Sequence, residues 1–147
     1  MNISTVIEKP ALSMAQRIAE AASAFEQQRT GHAPNSVTVV MSEETLVITL
    51  HGVLSPAERA LFKSPEGAAQ VQEFHRQLFA TSAQPLREEI KRITGIEVCG
   101  ATAEIDSGTG SVVQVLTTGA MVQVYLLADG IATETWSGNG QVTLCPE

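Results

Sequence analysis

The sequence is poor in features that announce a compartment or a chemistry. It has two cysteines in 147 residues, Cys99 and Cys145. They form no CxxC pair and no zinc-ligand spacing, so neither a redox pair nor a cysteine zinc centre is expected. In a reducing compartment both are expected to be small buried hydrophobes. No apolar run approaches the roughly 18 residues of a membrane span, so direct membrane insertion is not expected. The start, MNISTVIEKPALSM, lacks the basic residues and apolar block of a secretory leader, and a cytoplasmic protein is the expectation. Basic residues are absent beyond Arg92. The six acids from Glu97 to Glu147 face no Lys or Arg, whereas the first part carries ten acids against nine bases. A chain of net charge −7 with an acidic C-terminal part is a poor surface for phosphate backbones or anionic lipid, so no nucleic-acid partner is expected.

What remains is a globular composition, 44% hydrophobic and 17% charged, long enough to bury a core. One domain over 1–147 is expected, with 1–10 mobile and 130–147 a C-terminal β extension. Leu12, Ala15, Ile18, Ala22 and Phe25 recur at three- and four-residue steps and predict an N-terminal helix stopped at Gly31. SVTVVM, from Ser36 to Met41, and TLVITLH, from Thr45 to His51, are β-rich and separated by three polar residues, which predicts an antiparallel hairpin.

HGVLSPAERALF, from His51 to Phe62, joins that hairpin to helical sequence. Ser55 suits the N-cap, Pro56 the first helical position and Glu58 the third, as in a capping box. Ser64-Pro65-Glu66 repeats the grammar and opens a helix expected from Pro65 to Thr94, ended by Gly95. Its buried stripe is read as Val71, Phe74, Leu78, Leu86, Ile90 and Ile93, with a kink near Thr81–Gln84 imposed by Pro85. Beyond Gly95 come five β-rich stretches, Ile96–Ile105, Ser111–Thr117, Met121–Leu127, Ile131–Trp136 and Gln141–Leu144. Glycine-containing turn signals separate them, so they read as a meander. The fold class is α+β: a wholly antiparallel sheet built from hairpins, with helices on one face and the 65–94 helix across it.

The ordered set GVLSPAERALF, SPEGAAQVQEFHRQLF and ITGIEV resembles the MpsC family, the C component of the Na+-translocating membrane-potential-generating system. Gly31 and Pro34 match its turn before the first strand. Gly52, Val53, Leu54, Ala57, Glu58 and Leu61 match its joint, with Ser55 in place of Thr, and Gly67, Arg76 and Thr94-Gly95 match further on. The resemblance covers Leu12 to Leu127, and the strands from Ile131 onward look like an addition. It implies a soluble partner of a membrane ion or inorganic-carbon transport system, peripheral to the inner membrane through a membrane subunit. It supplies no reaction.

The residues themselves supply none either. His32, His51 and His75 have no metal-ligand spacing, and EIDSGTG lacks the ladder and closing Glu of a calcium loop. There is no phosphate loop and no GxSxG elbow, and Cys99 has no neighbouring base. No catalytic residue, metal or cofactor is therefore assigned. The expected function is a non-enzymatic interaction module, with Gly52, Leu54, Ser55, Glu58 and Arg76 as the partner- or ligand-binding residues. Two alternatives stand: a small-ligand or ion sensor with a pocket between helices and sheet, and a hydrolase using Glu58 or Arg76. A deep pocket uniting Glu58, Arg76 and His75 would favour either alternative. Residues Gly110–Leu127 carry no charge and Ile131–Leu144 only Glu134, so a homodimer joined through the sheet, by edge or face, is expected, with Trp136 near the contact.

Overall fold

The computed structural model describes residues 12–99, 111–116 and 118–139. Helix α1 spans Met14–Thr30. The Ser13 side chain accepts from the Gln16 backbone N–H at its start, and Gly31, at φ 77°, ends it in the left-handed region. Strand β1 spans Ser36–His51, α2 spans Pro56–Leu61, α3 spans Pro65–Thr94, β2 spans Ser111–Val115 and β3 spans Met121–Gly138. Hydrogen-bonded neighbours run in the order β1–β3–β2, and every pairing is antiparallel, as the α+β reading requires.

β1 is an unbroken run of 16 strand residues, yet it turns back on itself. A straight strand of that length would hold its ends roughly 50 Å apart. Instead the Asn35 N–H donates to the His51 carbonyl at 2.7 Å, and Thr38 Oγ1 lies 3.4 Å from His51 Nε2. The reversal falls at Ser42-Glu43-Glu44, where Glu43 takes a left-handed φ of 54°. The predicted hairpin is therefore present.

Of the expected meander, the link between Ser111–Thr117 and Met121–Leu127 is present as the antiparallel pair β2–β3, and the link beyond Leu127 is not. Met121–Leu127 and Ile131–Trp136 do not pair across Ala128-Asp129-Gly130 as neighbours in a hairpin. They are the two arms of β3, which passes around the tip of the β1 hairpin. Met41 pairs with Glu134, Glu43 with Ile131 and Thr45 with Leu126, and the register shifts twice there. β3 thus embraces β1: its later arm lies against residues 37–41 and its earlier arm against 45–50. The turn signal in the sequence marks a bend, and the outer edges of β1, not the other arm of β3, satisfy the backbone. Where Ile96–Ile105 was expected to be a strand, Val98 bridges Leu127, and Glu97 and Cys99 exchange backbone hydrogen bonds with Ala128 and Leu126; residues 100–105 and Gln141–Leu144 lie outside the described residues.

Alternation assigns the faces. Val37, Val39, Met41, Leu46, Ile48, Leu50, Met121 and Tyr125 are buried and point to the helices. The centre of that layer differs from expectation. α1, rich in alanine, lies against β1 and β3, while α3 lies against α1 and β2, with Phe79 reaching Tyr125 at 6.1 Å between ring centroids. The four-residue series Gly67, Val71, His75, Phe79 and Ala83 forms the buried stripe of the first half of α3. Phe74, expected inside, is 50% exposed, and Leu78 is only partly covered. The correction is one position of helical phase. The kink lies where Pro85 puts it: Ser82 leaves helical geometry at φ −128°, and both Thr81 and Ser82 hydroxyls bond the Leu78 carbonyl.

Gly67 is the contact between the two short-spaced helices. A Cβ there would stand 2.0 Å from the Leu61 carbonyl oxygen, which is backbone and cannot rotate away. Gly→Ala in a helix ordinarily gains about 1 kcal/mol. Here Gly67→Ala is expected to lose about 1–3 kcal/mol, because α2 must shift off α3. Urea melts of the two proteins measure the sign; a stabilised variant would remove the close-approach role.

Candidate functional site

The joint after β1 is built as a sequence of caps. Gly52 ends the strand at φ 69°, and a Cβ on it would stand 2.2 Å from Asn35 Nδ2. Its carbonyl lies 3.0 Å from His32 Nε2. Val53 and Leu54 turn inward and are buried, and the Val53 N–H donates to the Gly119 carbonyl. Ser55 then caps α2. Its Oγ accepts from the Glu58 N–H at 3.3 Å, and Glu58 Oε1 accepts from the Ser55 N–H at 2.9 Å, completing the capping box.

The second Glu58 oxygen looks the other way. Oε2 lies 3.0 Å from His75 Nε2 on α3, and the His75 ring is 1% exposed. His75 Nδ1 lies 3.9 Å from Glu26 Oε2 on α1. Glu26, wholly buried, accepts from Arg29 Nη2 at 2.6 Å through its other oxygen. The Arg29 guanidinium also lies over the Phe79 ring, 5.6 Å from its centroid. Beside this chain Tyr125 donates to Gln123 Oε1 at 2.8 Å, and burial pushes its phenol far above the usual range, so it stays protonated. Glu58, His75, Glu26 and Arg29 thus form one polar line through the helical layer. Glu26 Oε2 and Arg29 Nη1 have no hydrogen-bond partner among the described residues.

Four of the expected binding residues, Gly52, Leu54, Ser55 and Glu58, are adjacent in this joint. Arg76 is not with them. It stands on the outer side of α3, 63% exposed, bonded to Glu73 at 3.0 Å. It borders a shallow hollow of about 190 Å³ between α3 and β2, lined also by Gln72 and residues 113–116. Glu58 and His75 meet, but Arg76 does not join them. Trp136 lies on the later arm of β3, opposite Val39, packed against the core margin and against Gly138.

Glu26 and Arg29 escaped the sequence reading. The signal was available: four residues on from Ile18 and Ala22, the buried face of α1 arrives at Glu26. A polar residue at an apolar step is easily taken as a boundary of the stripe rather than a member of it. Among the described residues, no group of three or more His, Cys, Asp or Glu is arranged to hold a metal ion. No described helix is long and apolar enough to cross a membrane.

Residues 11–119 match the family described as Na+-translocating membrane potential-generating system (MpsC). The chain belongs to the MpsC family. The match contains α1, β1, the joint, α2, α3 and β2, and it ends before β3. The chain is also 26% identical over 103 residues to the uncharacterized protein YbcI of Bacillus subtilis (strain 168), covering 70% of this chain and 83% of that one. No solved structure matches it.

Two substitutions separate the cap from the buried line. Ser55→Ala is expected to cost about 0.5–2 kcal/mol through loss of one helix-start acceptor. Glu26→Ala, which strands the Arg29 charge inside the helical layer, is expected to cost about 3–5 kcal/mol. Denaturant midpoints with unchanged slopes give both values; equal losses would mean that Glu26 and Arg29 are not a buried pair.

Proposed function

We propose that this MpsC-family chain is a non-enzymatic interaction module. It works as a homodimer and engages a membrane subunit of a membrane-potential-generating transport system, so that it acts at the inner membrane without entering it. The observation that carries this reading is the state of the Glu58 carboxylate. Both of its oxygens are engaged, one by the Ser55 N–H and the other by His75. A general base or nucleophile needs an oxygen aimed at a substrate. Glu58 instead fastens α2 to the strand end and to α3, and Arg76 faces Glu73 on the outside.

Two large apolar side chains beside this fastening reach solvent. Leu61, on α2, is 44% exposed, and Phe74, next to His75 on α3, is 50% exposed. Single exposed hydrophobes are ordinary. Here both stand on the two helices that the buried chain of contacts holds in place, and large apolar side chains on a rigid support are what protein partners bury.

The test uses cells in which the chain has been deleted and the membrane potential is read with a voltage-sensitive dye. The expected result is a reduced potential, restored by the wild-type chain and not by Leu61→Asp/Phe74→Asp, with both proteins showing the same thermal melt. Full restoration by the folded double variant would overturn the surface assigned. An unchanged potential on deletion would overturn the transport reading.

A further inference from the structure

Among the described residues, the face of the sheet turned away from the helices carries no Asp, Glu, Lys or Arg. The alternation that buries Val39 and Ile48 sends their neighbours Val40 and Val47 outward. Val40 is 38% exposed. Val47 pairs with Val124, and Val124 pairs in turn with Val112. Val47, Val124 and Val112 therefore stand in one row across the sheet, and Val40 faces the same way from the other arm of β1. Val122 and Leu126 flank the row along β3, and threonines fill much of the remainder. His51, whose ring approaches Thr38, is the one titratable group among the described residues of this side, at its margin. The solvent face of an antiparallel sheet ordinarily alternates to polar and charged residues. In a chain with 25 charged side chains, 9 basic and 16 acidic, a face free of Asp, Glu, Lys and Arg across five strand arms is a pattern to explain.

We infer that this outer sheet face is the contact between two copies of the chain, packed sheet against sheet. The inference rests on the homodimer reading and assigns its surface. Three arguments choose a second copy. A partner recognised through charge would find no Asp, Glu, Lys or Arg to pair with among the described residues of the face. An anionic lipid surface would be repelled by the net charge of −7, and no described Lys or Arg stands on the face to hold it. A second copy brings the same flat, β-branched surface and buries no charge. The area is also adequate. Five arms at about 4.8 Å spacing, each about six residues long, give a footprint of roughly 24 by 20 Å. Two such footprints come to about 1,000 Å², where specific interfaces begin.

The acids fix the orientation. Glu43 and Glu44 stand at the tip of the β1 hairpin, with Asp129 in the segment of β3 that passes around it. A two-fold axis that sets the tips at opposite ends keeps these acids apart, and aligned sheets then pack about 10 Å from each other. The Trp136 ring belongs to the helical side of the sheet and takes no part in this contact.

Sedimentation equilibrium at tens of micromolar tests the assignment on the full chain. The wild type is expected to have the mass of a dimer. Val47→Lys/Val124→Lys is expected to weaken association by about 100-fold or more, since it buries unpaired charge. Val40→Lys, at a position already exposed, supplies the same reading should the double variant fail to fold, with circular dichroism confirming the structure. A folded variant that dimerises like the wild type would overturn the face and leave the homodimer, joined elsewhere. A monomeric wild type would overturn both.

Discussion

Three remote parts of the chain are tied at Gly52. Its left-handed backbone lets β1 end while Asn35 occupies the space a side chain would need. The Asn35–His51 hydrogen bond closes the hairpin one residue earlier, and the Gly52 carbonyl approaches His32 at the exit of α1. One residue later the Val53 N–H bonds Gly119, in the turn between β2 and β3. A residue with a Cβ would be strained by the positive φ and would have to displace the Asn35 side chain, so glycine suits this corner. The direction in which the chain leaves the sheet follows from it, and so does the position at which Ser55 can cap α2.

The second organising feature is polar and buried. α1 meets the sheet and α3 through small residues, Ala15, Ala19 and Ala22. Alanines permit close approach, but their smooth surface sets no register along the helix axis. Directional contacts do: Glu26 holds Arg29 and approaches His75, while His75 meets Glu58. Each link joins different elements or stiffens one, so α1, α2 and α3 share one line of contacts. A buried ion pair is a poor source of net stability, because desolvation offsets most of the Coulomb attraction. Its effect here is on which packing is adopted, since any slide of α1 would strand a charge.

The degree to which this was legible follows from the range of each interaction. Caps and stops are local, and Ser55–Glu58, Gly95 and the Pro85 kink could all be read from neighbouring residues. The hairpin of β1 was legible for the same reason, because two alternating runs flank a short polar link. The embrace by β3 was not. Ala128-Asp129-Gly130 looks the same in sequence whether it closes a two-strand hairpin or bends a strand around another hairpin's tip, and only pairing with residues 37–50 decides it. Helical phase failed more narrowly. Phe74 outranks His75 in hydrophobicity, so hydrophobic spacing alone runs the stripe through the phenyl ring. The structure buries the imidazole because Glu58 waits for it. At the candidate site Glu58 could be named from its cap, whereas Glu26 and Arg29 could not, since their partners lie on other elements.

The distribution of charge gives the two layers different work. The ion pairs among the described residues all involve α1, α2 or α3. Among the described residues, the outer sheet face carries no Asp, Glu, Lys or Arg, and most of its side chains are β-branched. β-branched residues lose little on ordering because χ1 is already restricted, so a surface of valine and threonine is rigid before it meets anything. The helical layer, by contrast, exposes long side chains beside Leu61 and Phe74. In the proposed dimer the rigid faces meet and the helical layers point outward, leaving α2 of each protomer accessible. Self-association and partner binding then draw on opposite sides of the molecule, and neither has to be given up for the other.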